Sequence, residues 1–223
     1  MHRIMYFMVF VSMASGCGDS RPEATSGVSP SVPAIPVTDD DRPIILAFGD
    51  SLTAGSGLPA GSGYPEMLQE ELDKRGYAYR VINAGIGGDT TGGGVARVQN
   101  AIRLKPEIVI LELGGNDGLR GIPVEVMQAN LDELAAAFKD AGARVVLGGM
   151  TLPRNFGPDY ISAFEQVYRS VAKKHDVILM PFFLEGVGGD PRLNLEDGIH
   201  PNEAGYRIVV ANVLKYVEPL LKK

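Results

Sequence analysis

The chain is predicted to fold as an α/β domain in which a parallel five-stranded sheet carries helices on both faces. Three observations predict it. Five short, largely apolar runs rich in Val and Ile lie at 44–48, 79–82, 108–113, 145–147 and 177–180, as expected of strands buried on both faces. Each is followed by a stretch of helical periodicity, and that strict alternation is the signature of βα units laid side by side. The length of 223 residues, with 45% hydrophobic and 22% charged residues, suits one well-cored domain.

The first seventeen residues are set apart from that domain. Met1-His2-Arg3 is a short basic start, and the apolar stretch from Ile4 to Met13 is too short to span a bilayer. Small residues follow at Ala14-Ser15-Gly16, then Cys17, the single cysteine of the chain. This reads as an export signal. Its "ASGC" ending resembles a bacterial lipobox, with Ala14 where Leu is usual. Cys17 is then expected to be lipidated and to attach the exported, periplasmic protein to a membrane; a plain cleavable signal is the alternative. Residues 18–42 contain four prolines and no aromatics and end in Asp39-Asp40-Asp41-Arg42. Such a composition cannot bury a core and is expected to form a flexible linker, with the acidic run solvated. The folded domain is placed at 43–223.

Within it the elements come in order. The first strand, 44–48, runs into "FGDSLTAGSG", where Ser51 either caps a helix or serves as a nucleophile. A helix is expected over 63–75, then the second strand and the glycine-rich "NAGIGGDTTGGG". This loop is not a dinucleotide fingerprint. Thr90 stands where the third glycine of G-x-G-x-x-G belongs, the loop follows the second strand, and no G-K-[ST] follows. Its glycines do allow backbone N–H groups to approach an anion closely. Helices are expected over 93–104, 123–141, 158–174 and 202–221. The net charge of −6, with no Lys/Arg cluster, gives nucleic-acid binding no support.

A serine nucleophile needs an imidazole base, and the base needs an orienting acid. The chain has three histidines. His2 lies in the export segment, and His175 suits the C-terminal end of a helix, where a cation meets the helix dipole. His200 remains, in "LEDGIHPNEAG", with Asp197 three residues earlier across a glycine turn. Pro201 fits a first helical position, which sets His200 at the head of the last helix. Donors for a tetrahedral oxyanion are available at the Ser51 N–H, the Gly88 N–H and the side chain of Asn116, just beyond the third strand. Asn116 could equally serve a turn. In a sheet of this kind, ligands bind outside the carboxyl ends of the strands. Ser51, Gly88 and Asn116 all sit at that edge.

These residues fall into four blocks, Gly49-Asp50-Ser51-Leu52, Gly88 in "GGDT", Gly115-Asn116-Asp117 in "GGND", and Asp197-Gly198-Ile199-His200. Through them the chain resembles the GDSL, or SGNH, hydrolases over about residues 43–221. It is most similar to bacterial arylesterases and to the periplasmic thioesterase/lysophospholipase type, through "ELGGNDGLRGIP" and "MPFFLEGV". The resemblance implies a three-layer, flavodoxin-like α/β/α fold. It implies a catalytic Ser51, His200 and Asp197, with the oxyanion held by Ser51, Gly88 and Asn116. It further implies a substrate loop at 118–123, a small-molecule or lipid ester as substrate, and no metal or cofactor. "GVGGDPRLN" is closer to the arylesterase branch. A carbohydrate O-deacetylase and a non-catalytic binding lipoprotein are the other functions compatible with this chain; the lack of Trp and the full set of reactive side chains weigh against them in turn.

Overall fold

The computed structural model describes residues 40–223. Expectations for the export signal, for Cys17 and for most of the linker fall outside the described residues. Five strands, β1 (Ile44–Gly49), β2 (Arg80–Gly85), β3 (Ile108–Glu112), β4 (Arg144–Gly148) and β5 (Ile178–Met180), form one sheet in the order β2-β1-β3-β4-β5. Every neighbouring pair is parallel. The chain is therefore an α/β protein, as its alternating pattern predicts.

Among the described residues seven α-helices accompany the strands: α1 (Ser51–Ala54), α2 (Tyr64–Lys74), α3 (Thr91–Ile102), α4 (Gly115–Leu119), α5 (Val124–Asp140), α6 (Pro158–His175) and α7 (Glu203–Val217). Helices α3, α5 and α6 pack side by side in one layer, while α2 and α7 pack against each other in a second. The sheet between them is dry. Ile45 to Phe48 and Ile108 to Leu111 are entirely buried. The Phe48 ring meets Phe138 of α5 edge-on at 5.2 Å and carries the Arg97 guanidinium of α3 over its face at 3.7 Å.

The ends of the second strand and of the last helix differ from the sequence reading, and two short helices are added to it, each for a physical reason. The second strand runs on to Gly85 because Asn83, Ala84 and Gly85 stay in register with Ala47, Phe48 and Gly49. β2 is an edge strand, so polar Asn83 can belong to it without being buried on both faces. Gly85 is needed there: a Cβ would lie 2.2 Å from the Ala54 backbone nitrogen. The last helix stops at Val217 and continues as a 3₁₀ turn over Glu218–Leu220, where Pro219 lacks the N–H that α-helical bonding requires. Helices α1 and α4, four and five residues long, are too short to show a period.

This strand order positions the site. The chain leaves β1 toward β2 on one side and reaches β3 on the other, which opens a crevice at the carboxyl end of β1. Ser51 follows β1, Gly88 follows β2 and Asn116 follows β3.

Candidate active site

Ser51 is the first residue of α1, and its cap is not its own hydroxyl. Asp50 is the N-cap, accepting the Leu52 N–H at 2.9 Å. Of the two roles the sequence leaves open to Ser51, the cap is taken by Asp50: one position earlier, the carboxylate already satisfies the helix donor, and the Ser51 hydroxyl is left for another partner. That partner is His200, whose Nε2 lies 2.8 Å from Ser51 Oγ. The other ring nitrogen, Nδ1, lies 2.6 Å from Asp197 Oδ2. A carboxylate accepts, so Nδ1 donates and Nε2 is left to accept the serine hydroxyl. Residues 149 positions apart in the chain thus form one relay.

Asp197 is held by more than the ring. Its Oδ1 accepts the Ile199 N–H at 2.9 Å and the His200 N–H at 3.0 Å. The turn closes through Gly198, at φ +70° in the left-handed region. The hydrogen bond from the His200 ring, helped by those two N–H groups, lowers the Asp197 carboxyl to about 2. His200 itself is not at the head of the last helix. Asn202 caps α7 by accepting the Gly205 N–H, and Pro201 sits outside the helix in an isolated bridge with Asn194. The loop thus carries His200 clear of α7 toward Ser51.

Donors converge nearby. The N–H groups of Ser51 and Gly88 take part in no hydrogen bond among the described residues. Asn116 lies in α4, and its Nδ2 donates to Asp50 Oδ2 at 2.8 Å and to the Asp89 carbonyl at 2.9 Å. The amide therefore stands beside the residue that follows Gly88. A substrate oxygen entering there would exchange for the Asp89 carbonyl. All five residues singled out from the sequence for this site are brought to one edge of the sheet. Next to the edge opens a cavity of about 650 Å³, with Leu119, Met150, Leu152, Phe182, Leu184 and Ile199 among its lining. Leu119 and Ile199 are also among the few large apolar side chains left exposed. In the predicted substrate loop, Arg120 donates to the Gly88 carbonyl at 2.8 Å and Ile122 N–H to the Asp117 carbonyl at 2.9 Å.

Sequence reasoning missed the groups that brace this edge. Arg97 is paired with Asp89 at 2.8 Å and donates to the carbonyls of Ala84 and Gly49, tying the ends of β1 and β2 to the glycine loop. Asp117 accepts both the N–H and the hydroxyl of Thr91. Glu112, fully buried at the end of β3, accepts the Thr53 hydroxyl at 2.9 Å. One signal for Glu112 existed: an acid inside the apolar run 108–113 has no reason to be there unless the interior uses it.

Several known proteins are similar to this chain. Residues 47–208 match the GDSL-like Lipase/Acylhydrolase family. Esterase TesA of Pseudomonas aeruginosa is 46% identical over 178 residues, covering 79% of this chain and 89% of that protein. An arylesterase of Vibrio mimicus is 42% identical over 158 residues, covering 70% and 79%. Among solved structures, the psychrotrophic esterase EstA from Pseudoalteromonas, inhibited by monoethylphosphonate, is 32% identical with a TM-score of 0.76; the match covers 79% of this chain and 97% of that one.

Proposed function

The chain belongs to the GDSL-like lipase/acylhydrolase family and is a carboxylic ester hydrolase, and from that premise we propose that Ser51 forms an acyl-enzyme at the mouth of the 650 Å³ cavity. In this reading His200 Nε2 takes the hydroxyl proton as Ser51 Oγ attacks the ester carbonyl. Asp197 keeps the ring in the tautomer that can accept and offsets the imidazolium charge. The N–H groups of Ser51 and Gly88 and the Asn116 amide hold the oxyanion. Collapse expels the alcohol or phenol, which leaves with the proton from His200. Water, deprotonated by the same ring, then releases the acid and restores Ser51.

The observation that carries the reading is the unbroken line from Asp197 through His200 to Ser51, at 2.6 and 2.8 Å. The substrate proposal rests on the cavity. Its apolar lining suits the acyl chain of a short- to medium-chain ester, and the arylesterase relative favours a phenolic leaving group. Export is part of the proposal, supported by the basic start, short apolar stretch and lipobox-like "ASGC" of residues 1–17.

The test is hydrolysis of a nitrophenyl ester series by Ser51→Ala and His200→Ala. Each is expected to lower turnover about 10⁴-fold or more while the thermal melt holds. Near-wild-type turnover in either purified variant would overturn the relay.

A further inference from the structure

The turn that displays the Gly88 N–H is held at both ends by one buried side chain. It runs from Ile86 to Asp89 and is closed by the Asp89 N–H donating to the Ile86 carbonyl at 3.1 Å. Its first end hangs from β1, because the Ile86 N–H donates to the Gly49 carbonyl at 3.1 Å. Arg97 of α3, only 8% exposed, donates to that same carbonyl from Nη2 at 2.9 Å and to the Ala84 carbonyl from Nη1 at 2.8 Å. Its Nε holds the other end of the turn, donating to Asp89 Oδ2 at 2.8 Å. Three acceptors in three directions call for a planar fork of donors, and the flat guanidinium also fits over the Phe48 ring. A lysine ammonium cannot meet that set.

Asp89 in turn touches both oxyanion donors that lie beyond Ser51. It follows directly on Gly88, and its carbonyl accepts Asn116 Nδ2 at 2.9 Å. A tilt of Asp89 therefore moves the Gly88 N–H and the Asn116 amide together. Its carboxylate is lodged against the first turn of α3. Oδ1 accepts the Thr90 N–H at 3.1 Å, and a Cβ on Gly93 would lie 1.8 Å from that oxygen. Gly93 is a helical residue, where alanine is favoured by propensity. Glycine at this position leaves room for the carboxylate. Its neighbour Gly92 is under no such constraint, since the nearest atom to a Cβ there lies 3.6 Å away.

We propose that Arg97 and Asp89 are positioning residues for the oxyanion hole: through the Asp89 carboxylate, Arg97 ties the Ile86–Asp89 turn to the ends of β1 and β2, so that the Gly88 N–H and the Asn116 amide converge on one substrate oxygen, and Gly93 is the gap in α3 that admits the carboxylate. Neither side chain touches the substrate. Donors of this kind count most once negative charge has developed, so misplacing them lowers kcat rather than raising KM. The proposal rests on the reading of Gly88 and Asn116 as oxyanion donors.

The experiment measures kcat per folded molecule and KM on a nitrophenyl ester, with the full-length protein carrying Gly92→Ala, Gly93→Ala, Asp89→Ala or Asn116→Ala, and the Asp89 variant combined with each of the last two partners, Gly93→Ala and Asn116→Ala. Asn116→Ala is expected to lower kcat by roughly 10²–10³-fold. Asp89→Ala and Gly93→Ala should each lower kcat by about 10-fold or more, with KM within about threefold, while Gly92→Ala keeps kcat within about twofold. In the Asp89→Ala background Gly93→Ala should cost less than about twofold, because the oxygen that its Cβ would displace is gone. Asp89→Ala should also cost at least about threefold less in the Asn116→Ala background, where one of the donors it aims is already missing. A merely structural turn would lose the same factor in both backgrounds, and that result would overturn the proposal. Should Asp89→Ala fail to fold, equal kcat in Gly92→Ala and Gly93→Ala would overturn it alone. If Asn116→Ala leaves kcat intact, the oxyanion reading fails instead, and the two failures are told apart.

Discussion

Asp117 holds Thr91 with both carboxylate oxygens, Oδ2 accepting the backbone N–H at 2.9 Å and Oδ1 the hydroxyl at 2.5 Å. Both residues are fully buried. Thr91 opens α3 behind the glycine loop, and Asp117 neighbours Asn116 in α4. The contact joins residues 26 apart in sequence and locks the loop bearing Gly88 to the helix bearing Asn116. A lost buried bond to a charged acceptor leaves its donor unsatisfied. Asp117→Ala should lower stability by about 2–4 kcal/mol in denaturant melts and lower kcat more than it raises KM. An unchanged melt would mean that the loops are held elsewhere.

The cavity yields a prediction about chain length. Leu119 and Ile199 are 43% and 50% exposed at its rim, so an acyl chain laid across them would bury apolar surface that is now wet. Leu119→Ser should raise KM for an octanoyl nitrophenyl ester by roughly 3–10-fold, given about 0.8 kcal/mol per buried CH₂, and leave the acetyl ester nearly unchanged. Equal effects on both esters would place the acyl chain elsewhere.

How much of this was legible in the sequence follows from what each feature depends on. β3 could be read directly because a strand buried on both faces is a continuous apolar run, as Ile108 to Leu111 are. The relay was legible by elimination, since three histidines leave few choices of base. What could not be read was which of two adjacent polar residues does what. Asp50 and Ser51 both suit a helix start, and only the backbone assigns the cap to Asp50. Likewise Pro201 suits a first helical turn, but the Asn202 side chain captures the Gly205 N–H and starts α7 later. The clasps at Arg97–Asp89 and Asp117–Thr91 join segments whose proximity exists only after the sheet has formed.

The buried carboxyl of Asp50, next to Ser51, implies a pH dependence of stability. Burial, the dominant cause, raises the Asp50 carboxyl above its unfolded value. A raised acid favours the native state fully only below its unfolded value, and that contribution is lost as pH rises through the native one. The wild type therefore bears the cost of a buried charge at pH 8 but not at pH 4. Asp50→Asn carries no such charge, so its stability relative to the wild type should improve between pH 4 and pH 8 in denaturant melts. A difference that stays constant with pH would mean that Asp50 is not held in this way.

Export and anchoring are tested on the intact chain. Stable attachment takes more than one acyl chain; were residues 18–42 the flexible coil expected of their composition, they would reach roughly 25–30 Å and hold the site close to a membrane. Full-length protein expressed in a Gram-negative host should partition into the detergent phase, and Cys17→Ala should leave it. Equal recovery of both in the soluble periplasm would make Cys17 an ordinary signal residue and remove membrane proximity from the substrate argument.

The central claim is that Ser51, activated by His200, is the group that becomes acylated. A fluorophosphonate mimics the tetrahedral oxyanion and is captured covalently only by an activated nucleophile. The direct measurement is peptide mapping by mass spectrometry after stoichiometric fluorophosphonate treatment of the wild type and His200→Ala. A single phosphonyl group on Ser51, appearing in step with loss of esterase activity and far more slowly in His200→Ala, is the expected result. Full inactivation with the adduct on another residue, or hydrolysis that persists when Ser51 is fully modified, would contradict it.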